Sequence, residues 1–307
     1  MKYLILIRWP NLIIIMLAMV ITRYKMIIPS LDQAGMVISS THLMFVLLMA
    51  AVLLIAIGGY VVNDIFDIEK DKVNKPDKQV IGRTISVRTA WYLYRVSTLG
   101  GIAIGLWLGW QSSLQLAILI FLVAGLLWFY AQRYKCKPLI GNLLVAVLSS
   151  LVIVIVWLQE FFLLRQDPYV FTAAIGVMPM ITGLVIAFAL FALFTNLIRE
   201  IVKDIEDAEG DHSQHCRTLP IVLGIVQTKN IAVTLCVVLF AMTGFWLYIL
   251  FHSQMKAASL ALIPALATIV ITIVRLALAK KKTHFSQSSV LLKIVMILGI
   301  FSMLFLP

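Results

Sequence analysis

Nine apolar runs of about 20 residues, each long enough to cross a hydrocarbon core roughly 30 Å thick, constrain this chain more than any other feature. They lie at 10–28, 41–62, 88–109, 113–131, 139–159, 171–195, 230–250, 257–278 and 288–306. Hydrocarbon offers a backbone no hydrogen-bond partners, so each run must bond within itself as a helix, and the expected fold is all-α and polytopic. Charged residues make up 13% of the chain, against about 25% in soluble domains. The links are mostly short, so residues 1–307 read as a single membrane-embedded domain. The first run lacks a small-residue cleavage site and is expected to be retained.

Lysine and arginine give the orientation. With the N-terminus inside, 19 of the 25 fall on cytoplasmic segments and only Arg23, Lys25, Arg165 and Lys256 on the opposite face. The positive-inside rule therefore predicts a multi-pass protein of the cell inner membrane, with a cytoplasmic N-terminus and an external C-terminus. The net charge of +11 needs no nucleic-acid partner, because basic loops against anionic lipid account for it. Cys136, Cys216 and Cys236 have no metal-ligand spacing, and an odd number of scattered thiols is expected to form no disulfide framework.

The 14 acidic residues are not scattered. Asp64, Asp67, Glu69, Asp71 and Asp77 follow the second run, Glu200, Asp204, Glu206, Asp207, Glu209 and Asp211 follow the sixth, and only three lie elsewhere. Both clusters leave the membrane on the same predicted face, four spans apart. That recurrence suggests two four-helix units plus a ninth helix, arranged around a central cavity. At about 100° per residue, Asp64, Asp67 and Asp71 share one side of a helix continued past the membrane edge, as do Glu200, Asp204, Asp207 and Asp211. Stacked like charges repel, so a cation should compensate them. Carboxylates are hard oxygen donors, which points to Mg2+, an ion that usually takes one or two carboxylates and completes its shell with phosphate oxygens. Two facing stripes would thus hold a metal-bridged diphosphate.

Residues 63–71, Asn-Asp-Ile-Phe-Asp-Ile-Glu-Lys-Asp, followed by Asn74, Lys75 and Pro76, resemble the N-D-x-x-D-x-x-x-D motif of the UbiA superfamily of intramembrane prenyltransferases. Residues 199–211, from Arg199 and Glu200 through Lys203, Asp204 and Asp207 to Asp211, with Thr218-Leu219-Pro220 beyond, resemble its second aspartate motif. Tyr130 with Lys135, and Gly141-Asn142, resemble a third feature. The motif regions are 63–78 and 196–211. The chain departs from the pattern at Lys78, where Arg is frequent, while Gly82-Arg83 keeps the later basic position. A lysine neutralises phosphate but loses the bidentate geometry.

The resemblance implies that an allylic polyprenyl diphosphate ionises and its prenyl group is captured by a lipid-like acceptor, with release of diphosphate. Asp64, Asp67 and Asp71 would serve one magnesium, and Asp204, Asp207 and Asp211 another. Asn63 and Asn196 would orient diphosphate or bound water, or bond neighbouring helices. Arg83, Lys135, Arg199 and Lys203 would bind diphosphate or an anionic acceptor, or serve only the positive-inside bias. Arg8 and Asn11 resemble a feature at the mouth of the active site, and Tyr60 could face the cation through its ring. The second motif is most similar to the branch that transfers geranylgeranyl to the hydroxyl of geranylgeranylglycerol phosphate. An aromatic quinone precursor of the hydroxybenzoate or naphthoate type is the alternative acceptor. A cation transporter would also be polytopic and acidic, but its site would lie near the bilayer midplane.

Overall fold

A computed structural model describes residues 2–74 and 79–306; Lys75, Pro76, Asp77 and Lys78 of the first motif region lie outside the described residues. Among the described residues nine long helices occupy the nine apolar runs: α1 (Trp9–Gln33), α2 (His42–Phe66), α3 (Val87–Gln111), α4 (Leu114–Gln132), α5 (Ile140–Leu164), α6 (Met178–Ser213), α7 (Ile225–His252), α8 (Lys256–Ala277) and α9 (Lys282–Phe305). The short helix Lys2–Leu6 precedes α1, and Ile68–Asn74, Pro168–Ala174 and Leu219–Leu223 lie between the long ones. Polar residues start several of these elements: Thr41, Ser86, Ser113 and Asp167 each accept a bond from a first-turn N–H.

Eight of the nine are long and apolar enough to span a bilayer on their own. The other, α3, carries Arg88, Arg95 and several aromatic and glycine residues. Packing compensates it. Ser97, Gly101, Gly105 and Gly109 recur every fourth residue on its buried face, and a Cβ at Gly101 would come within 3.0 Å of the Ala51 carbonyl of α2. Such small-residue stripes let helix backbones approach closely in lipid. The outward faces remain apolar, with Trp110 and Tyr169 88% and 89% exposed, as a surface immersed in hydrocarbon and its interface requires.

The helices close a ring in which α1 touches α2, α5 and α9, α4 meets α5, and α6 packs on α5, α7 and α9. The two halves are not copies. In the first, α4 returns to α2, whereas the main closing contact onto α6 comes from α9 rather than α8. A large apolar cluster that includes Met19, Leu48, Leu116 and Ile181 fills one end of the ring. Beyond it a buried polar knot ties α1, α2 and α5: Arg23 donates to the Ser40 carbonyl at 2.8 Å, and Glu160 accepts the Ser40 N–H at 3.0 Å.

The cysteine expectation is overturned. Cys136 and Cys216 form a disulfide with Cα atoms 4.5 Å apart, leaving Cys236 free and buried. A separation of 80 residues carries no pairing signal in sequence; the fold brings the α4–α5 link beside the exit of α6, where the Arg217 N–H also bonds the Cys136 carbonyl at 3.0 Å.

Candidate active site

The acidic stripes reach the site by two different routes. The second rides on α6, which continues unbroken for 36 residues and projects Glu200, Asp204 and Asp207 inward. The first does not sit on one continued helix. α2 stops at Phe66, Asp67 caps it through its N–H to the Asn63 carbonyl at 3.0 Å, and Asp71 follows on the short helix Ile68–Asn74. Asp64, Asp67 and Asp71 nevertheless line the same cavity as Glu200, Asp204 and Asp207.

That cavity, of about 600 Å³, is polar at one end and apolar at the other. Below the carboxylates its wall is Ile14, Val52, Leu127, Val152 and Ile300, and it ends against Ala18, Ile120, Phe188 and Met303. Val52 lies 12 residues before Asp64, and Phe188 lies 12 before Glu200, so the apolar part extends on the order of 18 Å from the acids.

Cations hold the acids in place. Arg8 Nη2 donates to Asp64 Oδ1 at 2.7 Å, and its guanidinium lies 5.0 Å from the centre of the Tyr60 ring. Lys135 Nζ donates to Asp67 Oδ1 at 2.6 Å, and Asn63 Nδ2 donates to Asp67 Oδ2 at 2.8 Å. Asn142 Nδ2 donates to Asp204 Oδ2 at 2.7 Å, and Arg199 Nη1 meets Glu200 Oε1 at 2.8 Å. Burial alone would lower Arg8, but Asp64 and its other neighbours outweigh it and keep the guanidinium charged. Lys70 is likewise raised, because Asp211, Asp67 and Asp207 outweigh its burial. Lys135 goes the other way, lowered by burial despite Asp67.

Lys135 stands on a 3-10 turn, Tyr134–Cys136, pressed onto the start of α5. A Cβ at Gly141 would come within 2.8 Å of the Tyr134 carbonyl and 3.0 Å of the Lys135 Cα, so only glycine permits that approach without displacing the turn.

Arg8, Asn11, Tyr60, Asn63, Tyr130, Lys135, Asn196, Arg199 and Lys203 all line the cavity. Three residues singled out from sequence stand elsewhere. Asn142 acts on the site through Asp204. Arg83 is exposed on the turn between Ile81 and Ile85 and is not part of the cavity wall. Asp211 is 1% exposed, ion-paired to Lys70 and bonded by Thr218 Oγ1 at 3.0 Å, outside the wall. Glu200, placed in the second stripe from sequence, lines the wall; sequence reasoning missed Lys70 and Lys293 of α9, whose Nζ donates to Asn11 Oδ1 at 3.0 Å. A lysine in the middle of an apolar span was the available signal for the last.

The donor set fits a hard divalent cation. Asp64, Asp67, Asp71, Asp204 and Asp207 supply oxygens without a thiolate, and Asn63 Oδ1 is buried beside them with no hydrogen-bond partner. Among the described residues no three Asp, Glu, His or Cys side chains are grouped to enclose an ion by themselves. Substrate oxygens would have to complete the shell, as magnesium prefers.

An all-helical bundle with paired acidic motifs over one apolar cavity matches a known class. The profile of the UbiA prenyltransferase family matches residues 27–297, and the chain belongs to that family. It is 32% identical over 186 residues to the digeranylgeranylglyceryl phosphate synthase of Methanopyrus kandleri, an overlap covering 61% of this chain and 60% of that protein. With the enzyme of the same name from Saccharolobus solfataricus it shares 36% over 189 residues, 61% of this chain and 59% of the other. The similarity thus spans about three fifths of these relatives' length. The solved UbiA homolog from Archaeoglobus fulgidus bound to GPP and Mg2+ shares the fold with a TM-score of 0.61, at 14% identity and 99% coverage of both chains.

Proposed function

We propose that the protein transfers a polyprenyl group from an allylic diphosphate to a lipid-like acceptor, with geranylgeranyl passing to the free hydroxyl of geranylgeranylglycerol phosphate. One observation carries this reading. Two acidic sets line the polar end of a single cavity whose other end is apolar and deep enough for an isoprenoid tail. The similarity to two digeranylgeranylglyceryl phosphate synthases supports the choice of acceptor.

In the reaction, the bond between the prenyl C1 and the diphosphate oxygen breaks, and diphosphate leaves with the electron pair. The acceptor hydroxyl oxygen bonds to C1, and its proton is released. Asp64, Asp67 and Asp71 on one side and Asp204 and Asp207 on the other would hold magnesium, which supplies neutralising charge for the leaving diphosphate. Lys135, Lys203 and Arg199 offer further positive charge at the same end. Asn63 and Asn142 fix the Asp67 and Asp204 carboxylates. The apolar wall keeps water from the prenyl cation, and Tyr60 and Tyr130 place aromatic rings along the route. Asp211 serves this reading as an anchor for Lys70 rather than as a metal ligand. The excess of basic residues on the flanking loops supports a cytoplasmic position for the carboxylates at the cell inner membrane.

The test is incubation of membranes containing the protein with labelled geranylgeranyl diphosphate, magnesium and geranylgeranylglycerol phosphate. Labelled ether lipid should form, and chelation of the metal, Asp67→Ala or Asp207→Ala should abolish it. Transfer undiminished in both variants would remove the acidic sets from the mechanism.

A further inference from the structure

Among the described residues, the cavity has one cation whose partner is not a carboxylate. Arg8 faces Asp64, Lys135 faces Asp67, Lys70 faces Asp211, and Arg199 and Lys203 face Glu200. Lys293, half-buried on an otherwise apolar stretch of α9, meets only the neutral amide oxygen of Asn11, at 3.0 Å. An ammonium at membrane depth is costly to keep unless something anionic meets it. Asn11 holds the ammonium from α1, and Arg199 and Asn196 of α6 line the same cavity. Asn11 also lies three residues beyond Arg8, so along α1 this place is about 4.5 Å deeper than the Arg8–Asp64 pair. It therefore adjoins the acid-rimmed end.

We propose that Lys293, positioned by Asn11 and assisted by Arg199, binds the anionic group of the acceptor and so selects acceptors that carry one. The inference rests on the proposed prenyl transfer and names what that reading leaves open, the group that recognises the second substrate. In geranylgeranylglycerol phosphate the anion is a phosphate monoester a few bonds from the reacting hydroxyl. A site one helical turn from the diphosphate end suits that spacing. The carboxylate of a hydroxybenzoate would use the same chemistry, and the two sources are separable by experiment.

Lys293→Met removes the charge with little change in volume, and Lys293→Arg retains it. With geranylgeranylglycerol phosphate as acceptor, the Met variant should raise the acceptor KM about tenfold or more, the loss expected for a charge-assisted bond. The Arg variant should stay close to wild type, and the KM for geranylgeranyl diphosphate should not move. Dephosphorylated geranylgeranylglycerol should be used equally poorly by wild type and Met variant. A larger effect of Lys293→Met on hydroxybenzoate than on the phosphorylated lipid would assign the anion to a carboxylate and overturn the phosphate assignment. An unchanged acceptor KM, or a rise confined to the diphosphate, would overturn the proposal itself. Thermal stabilisation of the detergent-solubilised protein by geranylgeranylglycerol phosphate alone, without donor, provides an arm independent of turnover. Stabilisation of wild type that is lost in the Met variant supports the site, and no stabilisation of wild type refutes it. Failure of wild type to transfer the label to any acceptor would instead refute the proposed function.

Discussion

Replacing Lys70 by Met would leave the Asp211 carboxylate buried at 1% exposure with Thr218 as its remaining side-chain partner. Removing one member of a buried pair typically costs about 3–5 kcal/mol, because the other charge is left uncompensated. The Lys70 side chain is 18% exposed, so water screens part of the interaction and the lower end, about 3 kcal/mol, is expected. Asp211→Asn should cost a similar amount, while the double variant should recover at least about 1 kcal/mol relative to the sum of the two, the signature of direct coupling. Denaturant unfolding of the purified protein in detergent measures all four corners of that cycle. The raised Lys70 value also fixes the sign with pH: the contribution is complete below the ordinary lysine range near 10.4 and is lost only as pH rises through the still higher folded value. Additivity within about 0.5 kcal/mol would refute the pairing as a structural lock. So would a folded Asp211→Asn protein whose magnesium requirement for transfer rises about tenfold, since that is the behaviour of a ligand.

Gly141→Ala should leave the bundle folded but push the Lys135 turn away from α5, lowering kcat/KM about 100-fold, the scale on which displacements near 1 Å act; transfer assays alongside circular dichroism check both halves. Because burial lowers Lys135, kcat/KM should fall on the alkaline side before the ordinary lysine range near 10.4, and Lys135→Arg should remove that limb from the pH profile. Reducing the Cys136–Cys216 bond, or replacing both residues by Ser, should cost up to about 4.5 kcal/mol for a loop of 80 residues in the chain-entropy account. Identical unfolding midpoints with and without reductant would count against the bond as a stabilising tie.

The comparison of sequence with structure divides along physical lines. Every long helix fell on a predicted run, including α3, whose arginines weaken its apolar signal. Helix formation in lipid is a local necessity, so twenty apolar residues suffice to announce it. The positions of the two acidic clusters were legible, and most of their members line one cavity, because the residue types and their spacing are local features. The break of α2 at Asp67 was not legible, since it depends on a cap and a change of direction rather than on residue type.

Which distant residues meet was also hidden. Lys293 is 282 residues from Asn11, Asn142 is 62 from Asp204, and Cys136 is 80 from Cys216. The sequence by itself determined an all-helical membrane chain with two acidic clusters four spans apart. Only the tertiary structure decided that Asp211 turns away to Lys70, that Lys293 turns inward, and that Gly141 seats Lys135, because those outcomes are set by which helices close the ring and how near their backbones come.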